Sequence, residues 1–143
     1  MALALAEARS AAARGEVPVG AVVVDAAGTV LAATGNRMRE LRDPTAHAEM
    51  LAVRAACVAI GAERLTDCDL YVTLEPCPMC AGAISAARIR RLYFAASDPK
   101  SGGVEHGPRV FAHPTCHHAP EVYGGIAEVE AASLLIDFFA SRR

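Results

Sequence analysis

The hydrophobic patterning predicts a layered α/β domain built on one mixed sheet. Segments of helical and strand period alternate along the chain in the order α-β-β-α-β-α-β-(β)-α. The 143 residues, 53% of them hydrophobic, suffice for one well-filled core. With no Trp and few aromatics, Ala, Val and Leu must fill that core. Residues 1–143 read as a single domain, without internal repeat, linker or low-complexity tract.

Each element has a local reason. Residues 2–14 are rich in Ala and Leu, the best helix formers, and the helix ends at Gly15. Val17 to Asp25 is β-branched and apolar, a buried strand. Ala26-Ala27-Gly28 turns the chain into a second strand, Thr29 to Ala33. Gly35 to Asp43 reads as irregular. Thr45 to about Ile60 has helical spacing at Met50, Leu51, Val53 and Ala56, and stops at Gly61. Asp69 to Leu74 is a strand, Met79 to Ala87 a helix, and Arg90 to Ala95 another strand. Pro76 suits the start of that helix. Asp98 to about His118 has no period and reads as a long loop, which in a compact domain points to function. Val122 to Ile126 is a candidate last strand. Ala127 to Arg143 is a helix with Leu134, Leu135, Phe138 and Phe139 as its apolar stripe.

The totals narrow the function. A net charge of −2 excludes a global basic field, so any nucleic-acid contact must use a local patch or shape. Five cysteines, two of them in a C-x-x-C, argue for metal binding in a reducing compartment over a disulfide framework. No apolar run is long enough to span a membrane and no signal-peptide order appears, so the expectation is a soluble cytoplasmic protein.

Two short words carry the chemistry: Pro44-Thr45-Ala46-His47-Ala48-Glu49 and Glu75-Pro76-Cys77-Pro78-Met79-Cys80. A catalytic zinc site has three N/S protein ligands and one open position. His47, Cys77 and Cys80 supply three ligands, and Glu49 is left over beside the fourth position. The cysteines are three apart, so they share a helix face. His47 and Glu49 are two apart, so both reach one ion only if it sits near the helix end. A structural zinc site would want a fourth ligand and has no use for Glu49. Backbone N–H groups near Ala48 and at the Cys77 helix start are candidates to hold water and the reacting edge of a substrate.

These words match the H-x-E and P-C-x-x-C signature of zinc-dependent nucleoside and nucleobase deaminases, and the mechanism comes with the signature. Over nearly its whole length the chain resembles the bacterial tRNA adenosine deaminase family. The matching words are Glu16 to Val22, Gly35-Asn36, Asp43 to Glu49, Leu70 to Cys77, Cys80 to Ala83, and Asp137-Phe138-Phe139. The resemblance implies a cytidine-deaminase-like three-layer α/β/α fold with a mixed five-stranded sheet. It also implies a homodimer with one zinc per subunit, acting on the wobble adenosine of a tRNA anticodon stem-loop. Glu49 would be the proton shuttle. Asn36 would contact substrate, against the alternative of a loop turn residue. Pro18 and Val19 would wall the base pocket and Phe139 flank the substrate, against plain core packing. Asp98 would meet a ribose 2′-OH, against a turn-starting role.

His106, His113, Cys116, His117 and His118 crowd the long loop. His113 is taken as a substrate contact; a second metal site is the competing reading. Gly103 to Arg109 and Ala140 depart from the family pattern, in the substrate loop and tail. Fewer residues precede the first helix than that pattern leads one to expect. Two rivals stand beside the tRNA reading: a free-base or nucleoside deaminase of guanine or cytosine type, and a zinc-stabilised RNA-binding subunit without catalysis.

Overall fold

The computed structural model describes residues 1–143. In chain order the elements are helix α1 (Ala2–Ala13), strands β1 (Gly20–Val24) and β2 (Val30–Gly35), short helix α2 (Met38–Leu41), helix α3 (Ala48–Ile60), strand β3 (Asp69–Leu74), helix α4 (Pro78–Ala86), strand β4 (Arg91–Ala96), a 3-10 turn (Val110–Ala112), strand β5 (Glu121–Tyr123) and helix α5 (Glu128–Ala140). The strands form one sheet in the order β2-β1-β3-β4-β5. β1 is antiparallel to β2 and β3; β3–β4 and β4–β5 are parallel. Helices α3 and α4 cover one face, α1 and α5 the other. This is the expected three-layer α/β/α arrangement around a mixed five-stranded sheet.

The larger core lies under α3 and α4. Because strand side chains alternate, Ala21 and Val23, Leu70 and Val72, and Leu92 and Phe94 all reach this face and are fully buried. They meet Ala48, Ala52 and Ala56, one per helical turn of α3, together with Ala81 and Ile84 of α4. Each of the larger side chains contributes roughly 1.5–3 kcal/mol by leaving water.

The opposite face is built on close approach. Ala4, Ala8 and Ala11 of α1 are fully buried, and they lie over glycines of the sheet. A Cβ on Gly20 would run into the Ala4 carbonyl oxygen and come within 2.7 Å of the Ala8 nitrogen; one on Gly35 would come within 2.8 Å of the Glu7 carbonyl oxygen. The Ala-rich helix is therefore more than a good helix former: its small side chains let its backbone rest on the sheet. Further along this face, Tyr71, Tyr93 and Tyr123 sit at matched positions on β3, β4 and β5. Their rings stack with centroids 4.6 and 5.1 Å apart.

Several boundaries differ from the sequence reading. β1 begins at Gly20 because Val17-Pro18-Val19 forms a tight turn, with the Val19 N–H on the Val17 carbonyl at 2.8 Å. β2 runs Val30–Gly35 because Gly35 pairs with Gly20. α2 lies within the stretch read as irregular. Its first N–H groups are accepted by Glu16, with Arg39 N at 3.0 Å and Glu40 N at 2.9 Å, so the cap comes from far away in sequence. α3 starts at Ala48, not Thr45, because Asp43 holds the Thr45 N–H and hydroxyl in a turn of its own. In α4 it is Pro78, not Pro76, that takes the first turn. β4 is shifted by one residue, to Arg91–Ala96. β5 stops at Tyr123 before Gly124, which lies against the Phe94 ring, and Gly125 at φ 83°. The long loop holds the Val110–Ala112 turn. α5 spans Glu128–Ala140; its stripe buries Ala131 and Phe138, while Phe139 is exposed.

Gly20→Ala is expected to destabilise the protein by about 2–3 kcal/mol, since the obstacle is helix backbone rather than a movable side chain. A urea midpoint equal to that of the unsubstituted protein would contradict the close-approach account.

Candidate active site

The site forms where two helix N-termini open at the carboxyl end of β3. His47 is the N-cap residue of α3; Cys77 is that of α4, with Cys80 in its first turn. The His47 Nδ1 lies 3.7 Å from the Cys77 Sγ and 3.5 Å from the Cys80 Sγ. A tetrahedral ion with zinc's usual bond lengths needs about 3.6 Å between a nitrogen and a sulfur ligand. All three ligand atoms lie within 4.8 Å of one another. The donor set and its spacing fit zinc.

This is the one group of three or more His, Cys, Asp or Glu in the chain with that spacing. The second metal site weighed for the long loop is therefore not formed. Three of its four imidazoles are engaged elsewhere: His113 Nε2 with the Pro108 carbonyl and His118 Nε2 with the Ile89 carbonyl, both at 2.6 Å, and His106 Nδ1 with Glu75 at 2.7 Å.

The electrostatics favour metal binding. The Cys77 thiol is brought down to about 4, chiefly by the Cys80 side chain and then, against the cost of burial, by His47. Cys80 moves up through its bond with Cys77 and its burial, so the two thiols share one readily lost proton. The partial positive charge of the α4 N-terminus adds to this thiolate character. The Cys77 contact raises His47.

Glu49 sits in the first turn of α3, only 5% exposed, and is not a member of the metal cluster. Burial raises its carboxyl to about 7. A carboxyl raised by burial towards neutrality can both take and return a proton, which is what a general acid–base needs.

Asn36 closes the other side. Its Oδ1 accepts the Ala48 N–H at 2.8 Å, satisfying the start of α3. This corrects the role offered to Ala48: its N–H is already used by the protein. The Asn36 NH2 group makes no protein hydrogen bond and is left for a ligand.

A cleft of about 180 Å³ opens over these groups, lined by Val17, Val19, Asn36, His47, Glu49, Cys77, Asp98 and Ser101 among others. That is below the roughly 300 Å³ of a typical small-molecule site, so it admits a base rather than a whole nucleotide. The cleft runs into a groove of about 700 Å³ that shares Val17, Leu74, Asp98 and Ser101 with it and adds Lys100, Phe139, Arg142 and Arg143.

The structure thus gathers His47, Glu49, Cys77, Cys80, Asn36, Val19 and Asp98. Phe139 stands in the groove, outside the cleft. Two residues fall elsewhere. Pro18 is buried in the protein while its neighbours Val17 and Val19 line the cleft. His113 borders a separate hollow on the outer side of α4, with Gly82, Ser85 and Arg88. Asp98 does start a turn, its Oδ1 accepting Lys100 and Ser101 N–H groups at 3.2 and 3.0 Å, and it lines the cleft as well.

Sequence reasoning gave no role to Glu16 or Glu75, both buried. Glu75 accepts backbone N–H groups of Asp98, Val104, Glu105 and His106. Burial pushes its carboxyl up, but the bonds from His106 and from the backbone outweigh that and hold it below the usual range. The available signal was an acidic residue closing an apolar strand just before Pro76.

An α/β/α sandwich with a His-Cys-Cys cluster and an adjacent non-ligating carboxyl defines the class of zinc-dependent deaminases. Residues 1–96 match the cytidine and deoxycytidylate deaminase zinc-binding region, and the chain belongs to that family. It is 63% identical over 143 residues to a tRNA-specific adenosine deaminase of Agrobacterium fabrum, covering 100% of this chain and 93% of that one. It is 44% identical to a tRNA-specific adenosine deaminase of Aquifex aeolicus, covering 99% and 92%. A solved structure from work on A-to-I editing by tRNA:A34 deaminases superposes with a TM-score of 0.93 at 64% identity, over 94% of this chain and 97% of that one. The guanine deaminase from Nitrosomonas europaea superposes with a TM-score of 0.83 at 25% identity, over 97% and 82%.

Replacing Cys80 by Ser removes a thiolate that a hydroxyl cannot replace. Zinc retained per chain after dialysis should fall by about tenfold or more. Glu49→Ala, by contrast, should retain zinc like the unsubstituted protein; elemental analysis of both variants separates ligand from non-ligand.

Proposed function

We propose that this chain hydrolyses adenosine to inosine at the wobble position of a tRNA anticodon loop, as a single zinc-dependent deaminase domain over residues 1–143. The observation that carries the reading is the continuity of a base-sized cleft with a groove bearing Lys100, Arg142 and Arg143. A free-base deaminase needs a closed cavity and no cationic rim. A flipped nucleotide needs a base pocket and, next to it, a positive track for the strand it came from. With a net charge of −2, such a track must be local, and this one is. A binding subunit without catalysis has no use for a buried carboxyl at the metal cluster, which is where Glu49 lies.

His47, Cys77 and Cys80 would hold one zinc ion per chain, which would supply Lewis acidity to a water molecule near neutral pH. The protein's own groups do the rest. Glu49 accepts the proton of the attacking water and passes it to the ring nitrogen beside the reacting carbon. It then carries the second proton to the exocyclic amine, which leaves as ammonia. Val17 and Val19 offer apolar walls for the ring, and the Asn36 NH2 group donates to a base acceptor. An anticodon loop is single-stranded, so extruding its base costs little. Phe139 flanks the nucleotides in the groove. Asp98, with Oδ1 engaged in its turn, offers Oδ2 to a ribose hydroxyl. The same reading includes a homodimer whose two subunits shape each RNA surface, and a cytoplasmic place of action. No helix is long and apolar enough to cross a membrane.

Glu49→Ala should lower ammonia release from an anticodon hairpin by about 10³-fold with zinc and fold retained, the magnitude of a lost general acid–base. Turnover within a few-fold of the unsubstituted protein would refute the role. Asp98→Asn should narrow the preference for an RNA hairpin over its DNA counterpart, because a hydroxyl-seeking carboxylate becomes a neutral amide. An unchanged ratio of the two kcat/KM values would contradict it.

A further inference from the structure

The Glu75 side chain, just past the end of β3, is fully enclosed, and its partners all come from residues 98–106. Its Oε1 accepts the Asp98 N–H at 3.2 Å and meets His106 Nδ1 at 2.7 Å. Its Oε2 accepts the N–H groups of Val104, Glu105 and His106 at 3.3, 3.2 and 3.1 Å. One carboxylate thus holds both ends of the segment 98–106. Between them the loop rests directly on the turn that carries Cys77. The Gly103 N–H donates to the Pro76 carbonyl at 2.8 Å. A Cβ on Gly103 would lie 2.6 Å from the Pro78 nitrogen, and one on Gly102 would collide with the Glu75 carboxylate itself.

The outer side of this segment is the substrate side. Asp98 and Ser101 line both the cleft and the groove, and Lys100 lines the groove. Their recorded hydrogen bonds run to one another, to Gly102 or to Glu75. Beyond the end of β4 at Ala96, no other hydrogen bond of theirs fixes their distance from the metal ligands. Glutamate suits the task because a carboxylate is acceptor-only, and four backbone donors and an imidazole converge on it. An amide in its place would turn an NH2 group toward some of those donors.

We propose that Glu75 is a positioning residue for substrate selection: it sets the 98–106 segment against the Cys77 turn and so places Asp98 and Ser101 over the base cleft. This rests on the deaminase reading. Glu75 borders the cleft, but its side chain is fully enclosed and makes no hydrogen bond to a metal ligand; in this role it acts through Asp98 and Ser101. His47 and Glu49 on α3 are held separately, through Asn36 and the sheet, and the segment makes one recorded backbone hydrogen bond to the Cys77 turn, that of the Gly103 N–H. Disturbing Glu75 therefore weakens substrate binding more than the chemical step.

The test is a cycle on the zinc-loaded chain of residues 1–143, read as ammonia release from an anticodon RNA hairpin, with zinc content and melting recorded for each variant. Glu75→Gln should raise KM about tenfold and change kcat by less than about threefold. In a background carrying Asp98→Ala and Ser101→Ala, the same change should add less than about twofold, because the groups it positions are gone. Effects that multiply fully in the combined variant, or a fall in kcat at constant KM, overturn the proposal. If Glu75→Gln fails to fold or to hold zinc, the cycle is run with His106→Ala, which removes one donor and leaves the carboxylate in place. The same non-additivity is expected there, and full additivity again overturns the proposal. An unsubstituted chain inactive on the hairpin would sink the deaminase reading and this inference with it; an active one with an additive cycle would sink the Glu75 role alone.

Discussion

The site depends on two helices beginning at the same point in space. α3 and α4 lie on one face of the sheet and start at its same end, so their N-cap residues, His47 and Cys77, face each other across less than 4 Å. Each start brings orphan N–H groups and a partial positive charge. That field suits thiolates and an adjacent carboxylate, and would be unfavourable for a cluster of bare cations. The negative ligands in turn receive a divalent ion. The sheet makes the meeting possible: β3 delivers Cys77 from its carboxyl end, while the β1–β2 hairpin delivers Asn36, which stitches itself to the first turn of α3.

Around that point the loops are ordered by buried acids. Glu16 holds α2, and Glu75 holds the segment that opens with Asp98. Each carboxylate is satisfied by several backbone N–H groups, which is how a charge tolerates burial. The effect is to give a single-turn helix and an irregular loop, both next to the cleft, fixed positions that their own sequences do not supply.

The metal triad and Glu49 were legible because their signals are short words: H-x-E, and two cysteines three apart after a proline. The layers were legible because helical and strand periods alternate cleanly. What escaped was non-local. α2 is capped by Glu16, more than twenty residues upstream, and no local pattern announces it. The Ala48 N–H looked free until Asn36 was placed beside it. His113 was assigned to substrate from its place in a functional loop, but the loop's path carries it to the outer side of α4. Pro18 shares a word with Val17 and Val19, yet only a backbone trace reveals which of the three point into the cleft. The cationic groove joins Lys100 to Arg142 and Arg143 across the whole C-terminal helix, a proximity that composition cannot display.

The tyrosine stack has an optical consequence. The chain has three tyrosines and no tryptophan, and all three tyrosines belong to that stack. Its intrinsic ultraviolet emission therefore arises from one column of coupled phenol rings spanning β3, β4 and β5. None of them borders the base cleft or the cationic groove. Native fluorescence in this protein is a gauge of strand pairing and is blind to what occupies the metal end.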